Sequence, residues 1–186
     1  LAEKVAEHLS QHGPDKQLAE KLFQLLHARK LQEQGLDIID ELEPSAEGNV
    51  LLYWWLQSWR AQFLLSASQF EQAEDVASKG LSSLPESNGQ VENRLLLELI
   101  QTAIAAISAD EEAIQRLEQL AHQMGQAGIF PSTIARAHSY RAMGLSRLDR
   151  HEDARDAHER ALQLCEEAGL VIELPTYLLN LGTAYH

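Results

Sequence analysis

With 186 residues and a formal net charge of −13, the chain has the length of one ordinary domain or of an array of helix pairs. Its 45% apolar content suffices for a continuous core and argues against disorder, while the acidity counts against direct binding to nucleic acid and adhesion to anionic lipid. Cys165 is the only cysteine, which excludes an intrachain disulfide and a cysteine metal cluster and fits a reducing compartment, the cytoplasm first and the periplasm as the alternative.

Turn signals divide the sequence. A first helix runs from about Ala2 to the break His12-Gly13-Pro14-Asp15. The segment Glu43–Asn49, rich in Pro, Ser, Gly and Asn, closes the next stretch, and Pro85–Gly89 and Gly128–Ser132 close the two after it. Leu174-Pro175-Thr176 opens a last helix, with proline near a helix start, where its missing N–H costs least. Weaker breaks at Glu33–Gly35, Ser66–Gln69, Ser108–Asp110 and Asp149–His151 predict that each stretch is two helices and a turn. Leu95, Leu99, Thr102, Ala103 and Ala106 share one helical stripe, as do Ile114, Leu117, Leu120 and Ala121. Ser108-Ala109-Asp110 followed by two glutamates reads as an N-cap with first-turn acids. No sustained period-two alternation occurs, so no sheet is expected, and the longest apolar run, near Val50–Leu56, is too short to insert in a membrane. The chain starts at Leu1 without methionine and stops at His186 within a helical pattern, as expected of a piece of a longer protein.

A phrase recurs along this pattern. FEQAEDVASKG around Phe70, DEEAIQRLEQL around Asp110 and HEDARDAHERA around His151 each place an alanine (Ala73, Ala113, Ala154) just after acidic residues at a helix start. The alanines stand 40 and 41 residues apart, and Gly35 holds the same slot 38 residues before Ala73. A period of this size predicts stacked helical units.

The residues that carry the repeat resemble the tetratricopeptide repeat family. Ala61, Leu64, Phe70, Ala73, Gly80 and Pro85 match its small, large and closing positions, as do Ala142, Leu145, Ala154, Ala161 and Leu162. Leu178, Leu181, Gly182 and Tyr185 match its first-helix signature. Arg60 and Arg141 depart from it, standing where leucine is common, and the ~40-residue spacing exceeds the basic 34. Longer repeats of this kind resemble bacterial regulatory arrays. The resemblance implies an all-α, right-handed superhelix of antiparallel helix pairs, a tetratricopeptide-like α-solenoid. Its repeats would span about 15–44, 50–85, 90–127 and 131–169, with a partial one at 174–186, in one repeat domain.

The resemblance also implies where a partner binds, because first helices of each pair line the concave groove. Carried over, the groove positions are Gln24 and His27; Trp55, Ser58 and Gln62; Glu98 and Thr102; Arg136, Ser139, Met143 and Arg147; and Leu179 and Thr183. The alternative for this face is plain solvation. The family's basic-asparagine clamp for a C-terminal carboxylate is missing, since Glu20, Ser58, Glu98 and Ser139 occupy those positions. Arg136 and Arg147 could pair an acidic group, or simply be solvated. Trp55, Trp59 and Phe63 recur four residues apart and read as core, whereas Trp54 points elsewhere and is the better candidate for a partner contact.

Little supports catalysis. His8 and His12 have a chelating spacing but no third ligand, and His151, Glu152, Asp153, Asp156 and His158 read as the polar face of a repeat helix. No glycine-rich phosphate loop, Gly-x-Ser-x-Gly elbow or His-Glu-x-x-His motif occurs, and Cys165 reads as a packed residue. The expectation is a non-enzymatic scaffold without metal or cofactor that binds a protein or peptide, as the regulatory or sensory region of a larger bacterial signalling or transcription protein. Homodimerisation through the terminal helix at Leu178, Leu181 and Tyr185 is the alternative, followed by a small-molecule sensor with its ligand near Trp55 and Arg136.

Overall fold

The computed structural model describes residues 15–84, 91–171 and 173–184, the side chains of Lys16, Thr183 and Ala184 excepted. The early helix expected from Ala2, the His8/His12 pair, Pro85 and Tyr185 lie outside them. The described residues are all-helical: α1 (Lys16–Ala28), α2 (Gln32–Leu42), a 3₁₀ turn (Glu43–Ala46), α3 (Val50–Ser66), α4 (Phe70–Ser83), α5 (Val91–Ile107), α6 (Glu111–Gln126), α7 (Pro131–Arg147), α8 (His151–Glu167) and α9 (Leu174–Ala184). None of these helices is long and apolar enough to cross a membrane. The chain forms two compact units, dividing at residues 86 and 87.

One turn recurs in both units. Lys30, Ser68, Ala109 and Asp149 all take left-handed backbone conformations, with φ of 58°, 61°, 68° and 58°. Each follows the first helix of a pair by two residues, and they stand 38, 41 and 40 residues apart. The next residue reaches back in each case: Leu31 N–H donates to Leu26 O at 2.9 Å, Gln69 to Leu64 at 2.9 Å, Asp110 to Ala105 at 3.1 Å and Arg150 to Leu145 at 3.0 Å. These bonds satisfy carbonyls that a helix end leaves open and reverse the chain tightly into the second helix. After α6 and α8 the same turn uses Gly128 and Gly169, where φ of 72° and 67° costs a glycine little. One sequence expectation shifts here and another is met. The first turn falls at 29–31, one turn before Glu33–Gly35, which lies inside α2. The N-cap read within Ser108–Asp110 is Asp110, whose carboxylate accepts from Ala113 N–H at 2.9 Å ahead of the first-turn acids Glu111 and Glu112, while the Ser108 hydroxyl donates back to Ile104 O.

The N-terminal unit packs α1 to α4 in sequence, with α1 also touching α3. Its core gathers Leu22, Phe23, Leu26, Ile39, Leu42, Trp55, Leu56, Trp59 and Phe63. Phe23 lies at the centre, its ring 5.8 Å from Trp55, 5.6 Å from Trp59 and 5.9 Å edge-on to Phe63, separations at which aromatic pairs attract. Gly35 allows this arrangement, because a Cβ there would sit 2.5–2.7 Å from the Phe63 ring. Helix α3 is apolar around most of its circumference, which suits a helix buried on more than one side.

The C-terminal unit packs α5 to α9 in sequence, with α5 also touching α7. Both stripes read from the sequence lie inward: Leu95, Leu99 and Ala106 from α5 meet Ile114, Leu117, Leu120 and Ala121 from α6, together with Ala142 and Leu145 from α7 and Ala154 from α8. Gly144 lets α7 cross closely, since a Cβ there would lie 2.6 Å from the backbone oxygen of Ala106 and 2.7 Å from Ile114 Cγ1.

Candidate functional site

First helices are neighbours within each unit, and polar side chains join them. In the N-terminal unit His27 Nε2 on α1 lies 2.6 Å from Ser66 Oγ on α3. In the C-terminal unit Asn180 on α9 donates to Ser139 Oγ on α7 at 3.3 Å. Such links fix the register of one first helix on the next.

The residues carried over to the groove divide sharply by exposure. In the N-terminal unit Trp55 is 1% exposed and belongs to the core, so it has no surface to offer a ligand. Gln24, Ser58 and Gln62 are buried too, and the Ser58 hydroxyl donates to Trp55 O at 2.7 Å. Only His27 is half-buried there. The apolar girth of α3 draws these positions inside, whereas the resemblance assigned them to a solvent-facing wall.

In the C-terminal unit the row is more open. Met143 is 41% and Leu179 63% exposed, Arg147 is exposed, and Glu98 and Thr102 are half-buried. Glu98 accepts a charge-assisted bond from Arg116 Nη2 at 2.9 Å. Ser139 is buried, and the Thr183 side chain lies outside the described residues.

Arg136 does not stand in the groove awaiting an acid. It is 6% exposed, and its Nη2 donates to Thr133 Oγ1 at 2.7 Å. Around it the core of α7, α8 and α9 holds Ala135, Ala161, Cys165 and Tyr177. Burial raises the Glu173 carboxyl pKa and Arg136 partly offsets the rise, so this guanidinium acts on the chain's own acid. Burial and the Glu173 charge push the Cys165 thiol up to about 12, which leaves an unreactive packed residue.

The arginines that break the repeat signature have a structural use. Arg60 on α3 reaches back to Asp40 on α2 at 2.7 Å and to Glu43 at 2.6 Å. Two repeats later Arg141 on α7 reaches back to Glu118 on α6 at 3.0 Å. Each ties a first helix to the second helix, or the turn after it, that precedes it in the chain. No signal within a single repeat announces this; the pairing needs the three-dimensional neighbour.

His158 departs from its predicted polar face. It is buried beside Ala154, Ala157 and Ala161, and burial lowers its pKa. Among the described residues no three His, Cys, Asp or Glu side chains are placed to hold a metal. Trp54 stays outside the core, half-buried, with its ring 5.1 Å from Tyr53 and nearly perpendicular to it.

Compared with protein-family models, curated proteins and solved structures, the chain finds no match in any of the three.

Proposed function

We propose that the chain is a tetratricopeptide-like, right-handed α-solenoid that binds a protein or peptide segment without catalysis, on the face made by its first helices. The observation that carries this reading is the exposure of first-helix positions in the C-terminal unit, where Met143 on α7 and Leu179 on α9 expose large apolar side chains and Thr102 and Glu98 on α5 are half-buried. Preformed helices presenting apolar anchors and a few polar groups suit a bound helix or extended segment, because little ordering of the receptor is needed. The ~40-residue period supports a place for the chain as the regulatory or sensory arm of a larger bacterial signalling or transcription protein.

Selection from a displayed random-peptide library against the immobilised chain tests the reading. Enriched peptides should bind the parent chain and lose affinity at least tenfold on Met143→Glu. Equal binding to parent and variant by every enriched peptide would overturn the assignment of this face.

Self-association is a second reading, favoured by the adjacent exposed Leu178 and Leu179, at 55% and 63%. Sedimentation equilibrium distinguishes the two: a mass that doubles with concentration, and returns to monomer on Leu178→Glu, favours pairing through α9.

A further inference from the structure

The N-terminal unit holds a recess of about 580 Å³ between the end of α2, the 3₁₀ turn and the start of α3. Asp40, Glu43 and Glu47 line it together with the Tyr53–Trp54 pair. Arg60 binds both Asp40 and Glu43, so three carboxylates face one cation and an excess of negative charge remains at the mouth. One observation beyond the acids marks this place. All three tryptophans fall on one helix, yet Trp54 lines the recess while Trp55 and Trp59 fill the core.

We propose that this recess takes the basic side chain of a partner protein, a lysine or arginine whose alkyl stem lies along the Tyr53–Trp54 rings and whose charge meets the Glu47 carboxylate. A cation over an aromatic face is attracted by the ring quadrupole, and the nearby carboxylates add a Coulomb attraction of the same sign. An anionic segment would meet uncompensated like charge, and a purely apolar one would strip water from three carboxylates without replacing it. Charge complementarity therefore selects a basic segment. The assignment rests on the protein-binding function proposed above but places a contact in the N-terminal unit, apart from Glu98, Thr102, Met143 and Leu179.

The test follows the three indole N–H signals in ¹H–¹⁵N NMR, with Trp54→Phe identifying the Trp54 signal. The probes are capped pentapeptides with a central lysine, arginine or glutamate, and 1-aminopentane as the free amine. The lysine and arginine peptides should move the Trp54 signal saturably and leave Trp55 and Trp59 in place, with the glutamate peptide inert. Glu47→Gln, an exposed position, should weaken the effect about fourfold, the value of one charge at about 5 Å in water. Absence of a Trp54 shift with both basic peptides, or an equal shift with the glutamate peptide, overturns the proposal. Free amine binding as tightly as the peptides overturns the protein partner in favour of a small organic cation. Library peptides that move Met143 and Leu179 but never Trp54 would sink this inference alone and leave the first-helix proposal standing.

Discussion

Replacing Gly35 by alanine separates packing from helix propensity, because the two pull in opposite directions. On propensity alone the change adds about 1 kcal/mol of stability within α2. The added Cβ, however, would lie 2.5, 2.6 and 2.7 Å from Cζ, Cε2 and Cε1 of Phe63. Carbon contacts are favourable near ~3.5–4.0 Å, so helix or ring must yield by roughly 1 Å. Phe63 is fully buried, with Phe23 edge-on at 5.9 Å, Trp59 at 6.0 Å and His27 at 6.2 Å, which leaves no empty direction for the ring. Overpacking of this kind costs about 1–3 kcal/mol. The balance is a net loss of about 1 kcal/mol. Urea unfolding followed by tryptophan fluorescence reads it, since all three tryptophans lie on α3 beside the contact. In a Phe63→Leu background the clash goes, and Gly35→Ala should then be neutral or stabilising. A raised midpoint for Gly35→Ala in the parent chain would refute the packing argument.

Other substitutions test the remaining features. Ala109→Gly should stabilise the C-terminal unit by about 1 kcal/mol, because a left-handed residue with a Cβ is strained, and thermal unfolding by circular dichroism checks it. Gly144→Ala should destabilise that unit, its Cβ meeting the Ala106 backbone oxygen, whereas Gly125→Ala, with only Ile134 Cδ1 at 4.0 Å, should not. Burial, then the charges of Arg160 and Arg141, hold His138 at about 4 against its ordinary 6.5, with Glu118 opposing. The unfolded chain thus takes a proton that the folded one refuses, so the His138 contribution is full above pH 6.5 and is lost as pH falls toward 4. His138→Gln should flatten this decline in a pH series of urea midpoints. Cys165 should react with a disulfide reagent at pH 8 only as fast as the chain unfolds, and Glu173→Gln should leave that protection in place.

The helix pairs, their period and most of their core were legible in the sequence because they rest on local signals: small residues at fixed spacing, apolar stripes and breaks. Ala73, Ala113 and Ala154 near second-helix starts, the stripes of α5 and α6, and the core roles of Trp55, Trp59 and Phe63 all follow from such signals. The misplacements share one cause. Gly35 looks like a turn glycine until Phe63 is seen against it, and Lys30, which makes the turn, carries no turn signature. Gln24, Ser58 and Gln62 read as groove-facing from their register in a pair, but the apolar girth of α3 takes them inside. Arg136 and His158 are buried by neighbours from other helices, and the clasps of Arg60 and Arg141 depend on the preceding second helix. Trp54 was legible as an outlier of the aromatic run; the acids that line the recess with it come from α2 and the 3₁₀ turn and could be placed only by the fold.

The measurement that bears most directly on the central claim is backbone chemical-shift mapping of a library-selected peptide on the ¹⁵N-labelled chain. Binding on first helices predicts that the largest shifts cluster at Glu98, Thr102, Met143 and Leu179, with α6 and α8 little changed. Shifts concentrated instead on α6 and α8, or spread over turns with the first helices silent, would contradict it.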